Sequence, residues 1–356
     1  MQTIWESPKK CTFNTEDFQE YMKKSEPYDI DFVIPWVDGS DPAWIEEFNK
    51  YVPSDKQIDS RNIRYRDYGL LKYWFRGVQK FTPWVRKIHF ITCGQKPDWL
   101  NTNCPKLNWV KHSDYIPNEY LPVFSSHPIE LCMHKIEGLT EHFVYFNDDY
   151  FLTSAVEKDF YFRNGLPCDS AILEVKTSGT LPMLGINFNN LNIINSHFSK
   201  KEVLRKKFFK WFNLKYGKSL WQNIDLFPWK KFTGFINPHM PQPFTKTLFE
   251  EVWNACPMPL KKTMENKFRS SFDVNQWLFR HWALCKGDFF PVNPHNGKRC
   301  FDLTDSNASD IAEFIKKQTY KEIVINDADL KDFESAMVKL KNAFETILPE
   351  RSDFEK

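Results

Sequence analysis

None of the eight cysteines (Cys11, Cys93, Cys104, Cys132, Cys168, Cys256, Cys285 and Cys300) forms a Cys-x-x-Cys pair. That argues against a zinc ribbon or a thioredoxin-type redox motif. Several sit in apolar runs, where reduced, buried cysteine is the natural reading. No stretch approaches the roughly 18 apolar residues of a membrane span. Residues 1–10 lack the apolar segment of a secretory signal, so a reducing cytoplasm is the expected compartment. A net charge of +2 is too small to make nucleic acid the main partner. There is no Gly-x-x-x-x-Gly-Lys-Ser/Thr loop, no Gly-x-Gly-x-x-Gly after the first strand and no Gly-x-Ser-x-Gly elbow. P-loop enzymes, dinucleotide oxidoreductases and α/β-hydrolases are thereby disfavoured. Internal repeats and low-complexity segments are also missing.

What remains is an ordinary folded composition: 356 residues, 42% hydrophobic and 26% charged, with 17% aromatics available for a core and for stacking on sugars or bases. After a polar arm at 1–28, residues 30–37 read as a core strand and 43–51 as a helix. Apolar residues at three- and four-residue spacing predict a second helix over 68–81. Further strands are expected at 86–92 and 109–114, a helix at 129–136 and a strand over 142–146. Strand–helix alternation of this kind predicts an α/β fold, a doubly wound, mostly parallel, Rossmann-like sheet as in nucleotide-sugar transferases. Residues 29–195 would form that nucleotide-sugar-binding core, with 177–195 as a loop near the site. Residues 196–290 would form a helical, aromatic-rich acceptor region or cap, beginning with a basic helix at 196–216. A helix is expected over 244–255 and another over 274–284. Residues 291–356 would supply a strand and a closing amphipathic helix at 329–348 packed on the core. Basic aromatic stretches such as 200–218 leave peripheral contact with a membrane surface open.

The chemistry concentrates where strands end. Residues 143–146 are apolar, and the run stops on Asn147-Asp148-Asp149. Adjacent ionised carboxylates at the end of a buried strand repel and lose hydration, so they call for a cation or a donor network. A hard divalent cation, Mg2+ or Mn2+, held by Asp148 and Asp149 and gripping a phosphate, answers that need. A solvated Asn-Asp-Asp turn is the bland alternative. The first strand ends on Asp38-Gly39-Ser40-Asp41-Pro42, a strand–turn–helix junction whose amides can receive an anion and whose Asp38 can reach a ribose, a base or a metal. A plain capped turn would look the same. Arg64, Arg66 and Asp67 precede the second helix. His127 stands at a helix start, where capping is the commoner role. His239, between Pro238 and Pro241, is restricted enough to serve as a placed base or as part of a rigid connector. Arg269 can pair bidentately with a phosphate or with a local acid. Carboxylates, arginines and a histidine gathered at one sheet edge suit phosphoryl or nucleotide-sugar transfer.

These residues also carry a resemblance. Trp36-Val37-Asp38-Gly39-Ser40-Asp41-Pro42 resembles the first conserved region of the Stealth family of sugar-1-phosphate transferases. Residues 64–71, Pro83 to Ile88, 94–100 and 121–152, with His127, Glu130 and Asn147-Asp148-Asp149, resemble its second. Residues 196–216 and 232–241, ending on His239-Met240-Pro241, resemble its third. Cys300-Phe301-Asp302-Leu303-Thr304-Asp305 stands where the family has a more asparagine-rich Asn-Asp pair. The family includes bacterial capsule and cell-surface polysaccharide enzymes and the animal N-acetylglucosamine-1-phosphotransferase. The resemblance implies transfer of a hexose-1-phosphate from a nucleotide sugar, with a UDP-sugar expected, to a hydroxyl of a glycan or lipid-linked oligosaccharide. A nucleoside monophosphate would leave. It implies His239, Arg269, Asp41, His127 and Glu130 as catalytic residues and Asp148 and Asp149 as metal ligands. Trp36, Asp38, Gly39, Ser40, Arg64, Asp67 and Asn147 would bind the donor. The enzyme would work in the cytoplasm or against the inner face of the cell membrane. A metal-dependent glycosyltransferase releasing a nucleoside diphosphate is the competing reading, and a non-catalytic carbohydrate-binding protein a third.

Overall fold

The computed structural model describes residues 27–52, 65, 68–177, 183–326 and 330–356. The strands are β1 (Ile30–Pro35), β2 (Ile88–Thr92), β3 (Leu107–Lys111), β4 (His142–Tyr145), β5 (Tyr150–Leu152), β6 (Phe162–Arg163), β7 (Leu166–Asp169), β8 (Gln242–Thr245), β9 (Phe290–Pro291), β10 (Lys298–Asp302) and β11 (Glu322–Asn326). The main sheet has the order β3-β2-β1-β4-β8. β1 to β4 are parallel, and β8 joins β4 antiparallel. β1 is buried on both faces, as a continuous apolar run requires. Its Phe32 and Ile34 face one core and Val33 the other.

The first core is closed by helix Leu71–Phe81 and by the C-terminal helices Ala308–Lys316 and Phe333–Ile347. Phe344 of the last helix packs on Phe151 and stacks on Tyr73. The opposite face is covered by helices Met183–His197, Lys246–Ala255, Pro257–Met264 and Trp277–Lys286. Helices therefore lie on both faces, as in a doubly wound sheet. A second sheet, β10-β11-β5, grows from the chain just after β4. At the amino-terminal edge, fully buried Asp31 accepts from Arg86 Nε and Nη2, lies 2.9 Å from His89 Nε2 and accepts from Thr140 N–H, tying β1, β2 and the entry to β4.

Several elements depart from the sequence expectation. The expected loop at 177–195 contains helix Met183–His197, and residue 195 lies inside it. Asn190 Nδ2 donates to Asn275 Oδ1 and Asn189 Nδ2 to the carbonyls of Ser271 and Asp273, so tertiary bonds support this asparagine-rich helix. The helix expected at 196–216 is broken into Lys200–Lys206, Phe208–Trp211 and a 3-10 segment, Leu214–Ser219, in which Gly217 takes φ 57°. The helix expected from 244 begins at Lys246, because Gln242–Thr245 pairs with β4 instead. The helix expected over 129–136 ends at Leu131, and a 3-10 turn, Met133–Lys135, follows. The lead-in arm, apart from residues 27 and 28, lies outside the described residues.

Candidate active site

β1, β2 and β3 run outward to one side, and the chain then returns to the other side of β1 as β4. This reversal is a topological switch point, and open α/β sheets bind ligands beyond the strand ends there. A cleft opens at that place. Pro35, Trp36 and Val37 leave β1 into it, and Tyr145, Asn147 and Asp148 leave β4. Trp44, Tyr65 and Phe124 form an aromatic wall, with Trp44 4.9 Å from Tyr65 and 5.8 Å from Phe124 between ring centroids. Ser126 and Arg269 close the rim, with Arg269 donating to Ser126 Oγ at 3.1 Å.

The turn after β1 is held from within. Asp38 Oδ1 accepts from Ser40 N–H (2.9 Å) and Ser40 Oγ–H (2.6 Å). Asp41 caps helix Pro42–Tyr51 by accepting from Ala43 N–H, and its other oxygen accepts from Gln95 Nε2. The Gln95 bond first, and the Ala43 N–H second, hold the Asp41 carboxyl below its ordinary value. Asp41, expected among the catalytic residues, thus caps the helix with one oxygen and is held to the Gln95 loop by the other. Gln95 also bonds Asp38 at both its N–H and its carbonyl, so this loop residue clamps the whole turn. Gly39 donates to the Tyr65 carbonyl at 2.9 Å. A Cβ on Gly39 would stand 2.4 Å from Tyr65 Cβ and 2.5 Å from its carbonyl oxygen, so close approach explains the glycine.

The two aspartates after β4 divide. Asp148 is exposed and lines the cleft. The loss of hydration expected for both carboxylates is thus partial: Asp149 is half-buried and pairs with a histidine. His239 Nε2 lies 3.1 Å from Asp149 Oδ2, and the Tyr150 hydroxyl lies 3.2 Å from His239 Nδ1. Asn147 Nδ2 donates to that hydroxyl at 3.3 Å. Asp149 Oδ1 is buried and has no hydrogen-bond partner. The Asp149 carbonyl accepts from Ile325 N–H, so β11 braces the turn. The loop carrying His239 is fixed by buried Arg280, which bonds Asp169 with two nitrogens and donates to the Ile236 carbonyl. His281, pushed well below its ordinary value by burial and therefore neutral, lies 2.7 Å from Asn237 Oδ1.

The remaining expected residues are placed as follows. His127 is buried, with Nδ1 2.8 Å from Asp273 Oδ2, and it does not line the cleft. Asp273 also accepts from Asn266 Nδ2 and Ser270 N–H. Through Asp273, His127 ties helix Ser126–Leu131 to the segment carrying Arg269. Glu130 is buried beneath the cleft, accepting from the Tyr145 hydroxyl at 3.2 Å and, at the 3.5 Å limit, from Gln276 N–H. Trp36 is buried, with its indole N–H unpartnered. Arg64 and Asp67 lie outside the described residues. The sequence reading missed Gln95, Tyr150 and His112. His112 lines the cleft and is pushed down to about 4 by burial, so it is neutral near pH 7. Among the described residues no group of three or more His, Cys, Asp or Glu side chains is arranged to hold a metal by itself.

Comparison with known proteins gives a consistent picture. Residues 28–56 match the model of Stealth protein conserved region 1, and residues 64–168 match that of conserved region 2. The capsular polysaccharide phosphotransferase WcwK of Streptococcus pneumoniae is 42% identical over 92% of this chain and 98% of its own length. The exopolysaccharide phosphotransferase cps2G of Lactiplantibacillus plantarum is 38% identical over 94% of this chain and 98% of its own. The receptor polysaccharide phosphotransferase WefC of Streptococcus gordonii is 40% identical over 92% and 98%. Among solved structures, mouse xyloside xylosyltransferase 1 overlays with a TM-score of 0.36 at 10% identity, over 84% of this chain and 98% of that one.

Proposed function

Because the chain belongs to the Stealth family of polysaccharide phosphotransferases, we propose that it transfers a hexose-1-phosphate from a nucleotide sugar to a hydroxyl of a cell-surface polysaccharide under construction. The acceptor hydroxyl attacks the phosphorus next to the sugar. The bond from that phosphorus to the bridging oxygen breaks, and a nucleoside monophosphate leaves.

The observation that carries this reading is the Asp149–His239 pair, set beside a cleft that holds Asp148, Asn147 and Arg269 at the switch point of the sheet. A carboxylate on one imidazole nitrogen fixes the tautomer and leaves the other nitrogen basic. Asp149 does this at Nε2. The acceptor hydroxyl would replace the Tyr150 hydroxyl at Nδ1 and give its proton there. Arg269, with no carboxylate partner among the described residues, would stabilise charge on the transferring phosphoryl. Trp36, Trp44 and Tyr65 would receive the nucleotide, and the Asp38-Gly39-Ser40 turn would face it, with Arg64 and Asp67 as further donor-binding residues. Glu130 would position Tyr145 from below.

A divalent cation, Mg2+ or Mn2+, fits Asp148 and Asp149. Such ions take one or two carboxylates and fill their remaining positions from phosphate and water. The buried, unpartnered Asp149 Oδ1 is the oxygen that asks for one. When bound, the ion neutralises the diphosphate and the departing nucleotide. The acceptor would be a glycan or lipid-linked oligosaccharide, reached in the cytoplasm or at the inner face of the membrane. Among the described residues no helix is long and apolar enough to cross a membrane.

The deciding experiment supplies a panel of nucleotide sugars, divalent metals and oligosaccharide acceptors and identifies the nucleotide released. Monophosphate is expected; diphosphate would make the enzyme a glycosyltransferase instead.

A further inference from the structure

The segment between the two halves of the site carries a surface that the proposed reaction does not use. Helix Leu220–Leu226 turns Asn223 and Leu226 inward. Asn223 accepts from Leu173 N–H and donates to the carbonyls of Ala171 and Trp211, so the helix is pinned in one orientation. Its outward side presents Trp221 and Ile224, followed by Phe227, at three-residue spacing and 65%, 43% and 53% exposed. Phe212 joins Phe227 (5.7 Å between centroids) to Phe208 (4.7 Å), and Phe208 to Phe209 (5.6 Å). Trp229, 56% exposed, follows the helix end. Buried Lys200 donates to the carbonyls of Leu226 and Trp229, which fixes that end as well. The result is an exposed aromatic ridge on firmly held backbone, with Phe208, Phe209, Phe212 and Phe227 in ring contact and Trp221 and Trp229 on the same stretch of chain. Monomeric proteins rarely expose such ridges without a use for them.

Its charge names the partner. Residues 200–231 contain ten lysines and arginines against two acids, in a chain whose net charge is only +2. Lys201, Arg205, Lys218, Lys230 and Lys231 are all exposed. A second copy would bring two strongly basic faces together, which opposes self-docking. Aromatic side chains flanked by lysines are the pattern of an interfacial segment that sinks its rings among lipid headgroups while its cations meet anionic lipid. We propose that this ridge docks the enzyme on an anionic lipid bilayer, lying in the interface without crossing it. The surface deepens the functional reading above by naming what presents the acceptor, and it rests on that reading only for this consequence. The same segment runs on to His239, so a docked ridge would hold the site near a lipid-linked acceptor.

The test is flotation of the full chain with vesicles of phosphatidylcholine containing phosphatidylglycerol and with vesicles of phosphatidylcholine alone. Binding is expected to the first and not the second, and it falls as salt is raised. Trp221→Ser and Trp229→Ser each lower the partition coefficient about tenfold, as expected for a ring that leaves the interface. Lys230→Glu with Lys231→Glu abolishes the preference for the anionic lipid. Nucleotide release with a water-soluble acceptor stays unchanged in these variants. That readout separates failure of the docking surface from failure of the phosphotransfer reading. Equal recovery on both vesicle types, or full binding by the tryptophan variants, overturns the proposal. So does a self-associated species that the same substitutions dissociate.

Discussion

His239 reaches Asp149 across 90 residues of sequence, Nε2 to Oδ2 at 3.1 Å, and so joins the turn after β4 to the loop before β8. Removal of the imidazole in His239→Ala should lower turnover about 10²–10⁴-fold, the usual weight of a placed base. Circular dichroism should remain that of the parent. Release of nucleoside monophosphate is the measurement, and parental turnover would remove His239 from the reaction.

Asp148→Asn and Asp149→Asn should each cost at least about a hundredfold in rate, as the loss of a charge-stabilising group does. A chelator should silence the parent, and Mg2+ or Mn2+ should restore it. Undiminished release with chelator present would eliminate the metal.

Arg269 bonds only Ser126 in the cleft wall, so its replacement costs the fold little. Arg269→Lys keeps the charge but loses the planar fork that matches a phosphate. Turnover should fall about 10²-fold, with the melting temperature nearly unchanged. A large drop in stability would show that the arginine is structural.

Gly39→Ala places a methyl group against the Tyr65 backbone, which is not a flexible end that can swing aside. Overpacking of this kind costs about 1–3 kcal/mol. Because Gly39 follows the cleft-lining Trp36 and Val37 and bonds the cleft-lining Tyr65, the KM for the nucleotide sugar should rise more than kcat falls. Steady-state kinetics with thermal unfolding would separate the two effects.

Asp31 gives the acid limb of stability a definite sign. Burial by itself would raise its pKa, but bonds from His89, Arg86 and the Thr140 N–H overcome this and leave it below the ordinary 3.8. The folded state therefore binds the proton less readily than the unfolded one. The resulting stability is present above about pH 4 and is lost as the pH falls through the lowered value. Urea melts of the parent should weaken on that descent. Asp31→Asn should be less stable at neutral pH and should flatten the acid dependence.

Much of the central sheet was legible because its inner strands are apolar runs ended by a turn, as in Ile30–Pro35 and His142–Tyr145, whereas the mixed β3, Leu107–Lys111, starts two residues before its expected 109–114. Helix Leu71–Phe81 was legible from its spacing. Helix Met183–His197 was not, because asparagine and glycine are poor helix formers and its support comes from Asn275, Ser271 and Asp273, which no local window includes. β8 was hidden by Pro243, which a sheet tolerates at its edge and which sits opposite Val144. Asp148, Asp149 and His239 could be picked out because carboxylates at a strand end and a histidine between prolines are locally unusual. Gln95 could not, because a loop glutamine has no local mark; only the folded chain brings it against Asp38 and Asp41.

The hydrogen bond from Ile325 to the Asp149 carbonyl makes the β10-β11-β5 sheet a floor under the aspartate turn. A chain trimmed after β9 to yield a minimal core would keep the cleft residues and the imidazole, yet leave that turn standing on nothing. A chain cut back to the two matched conserved regions, 28–56 and 64–168, would in addition lack His239 and Arg269.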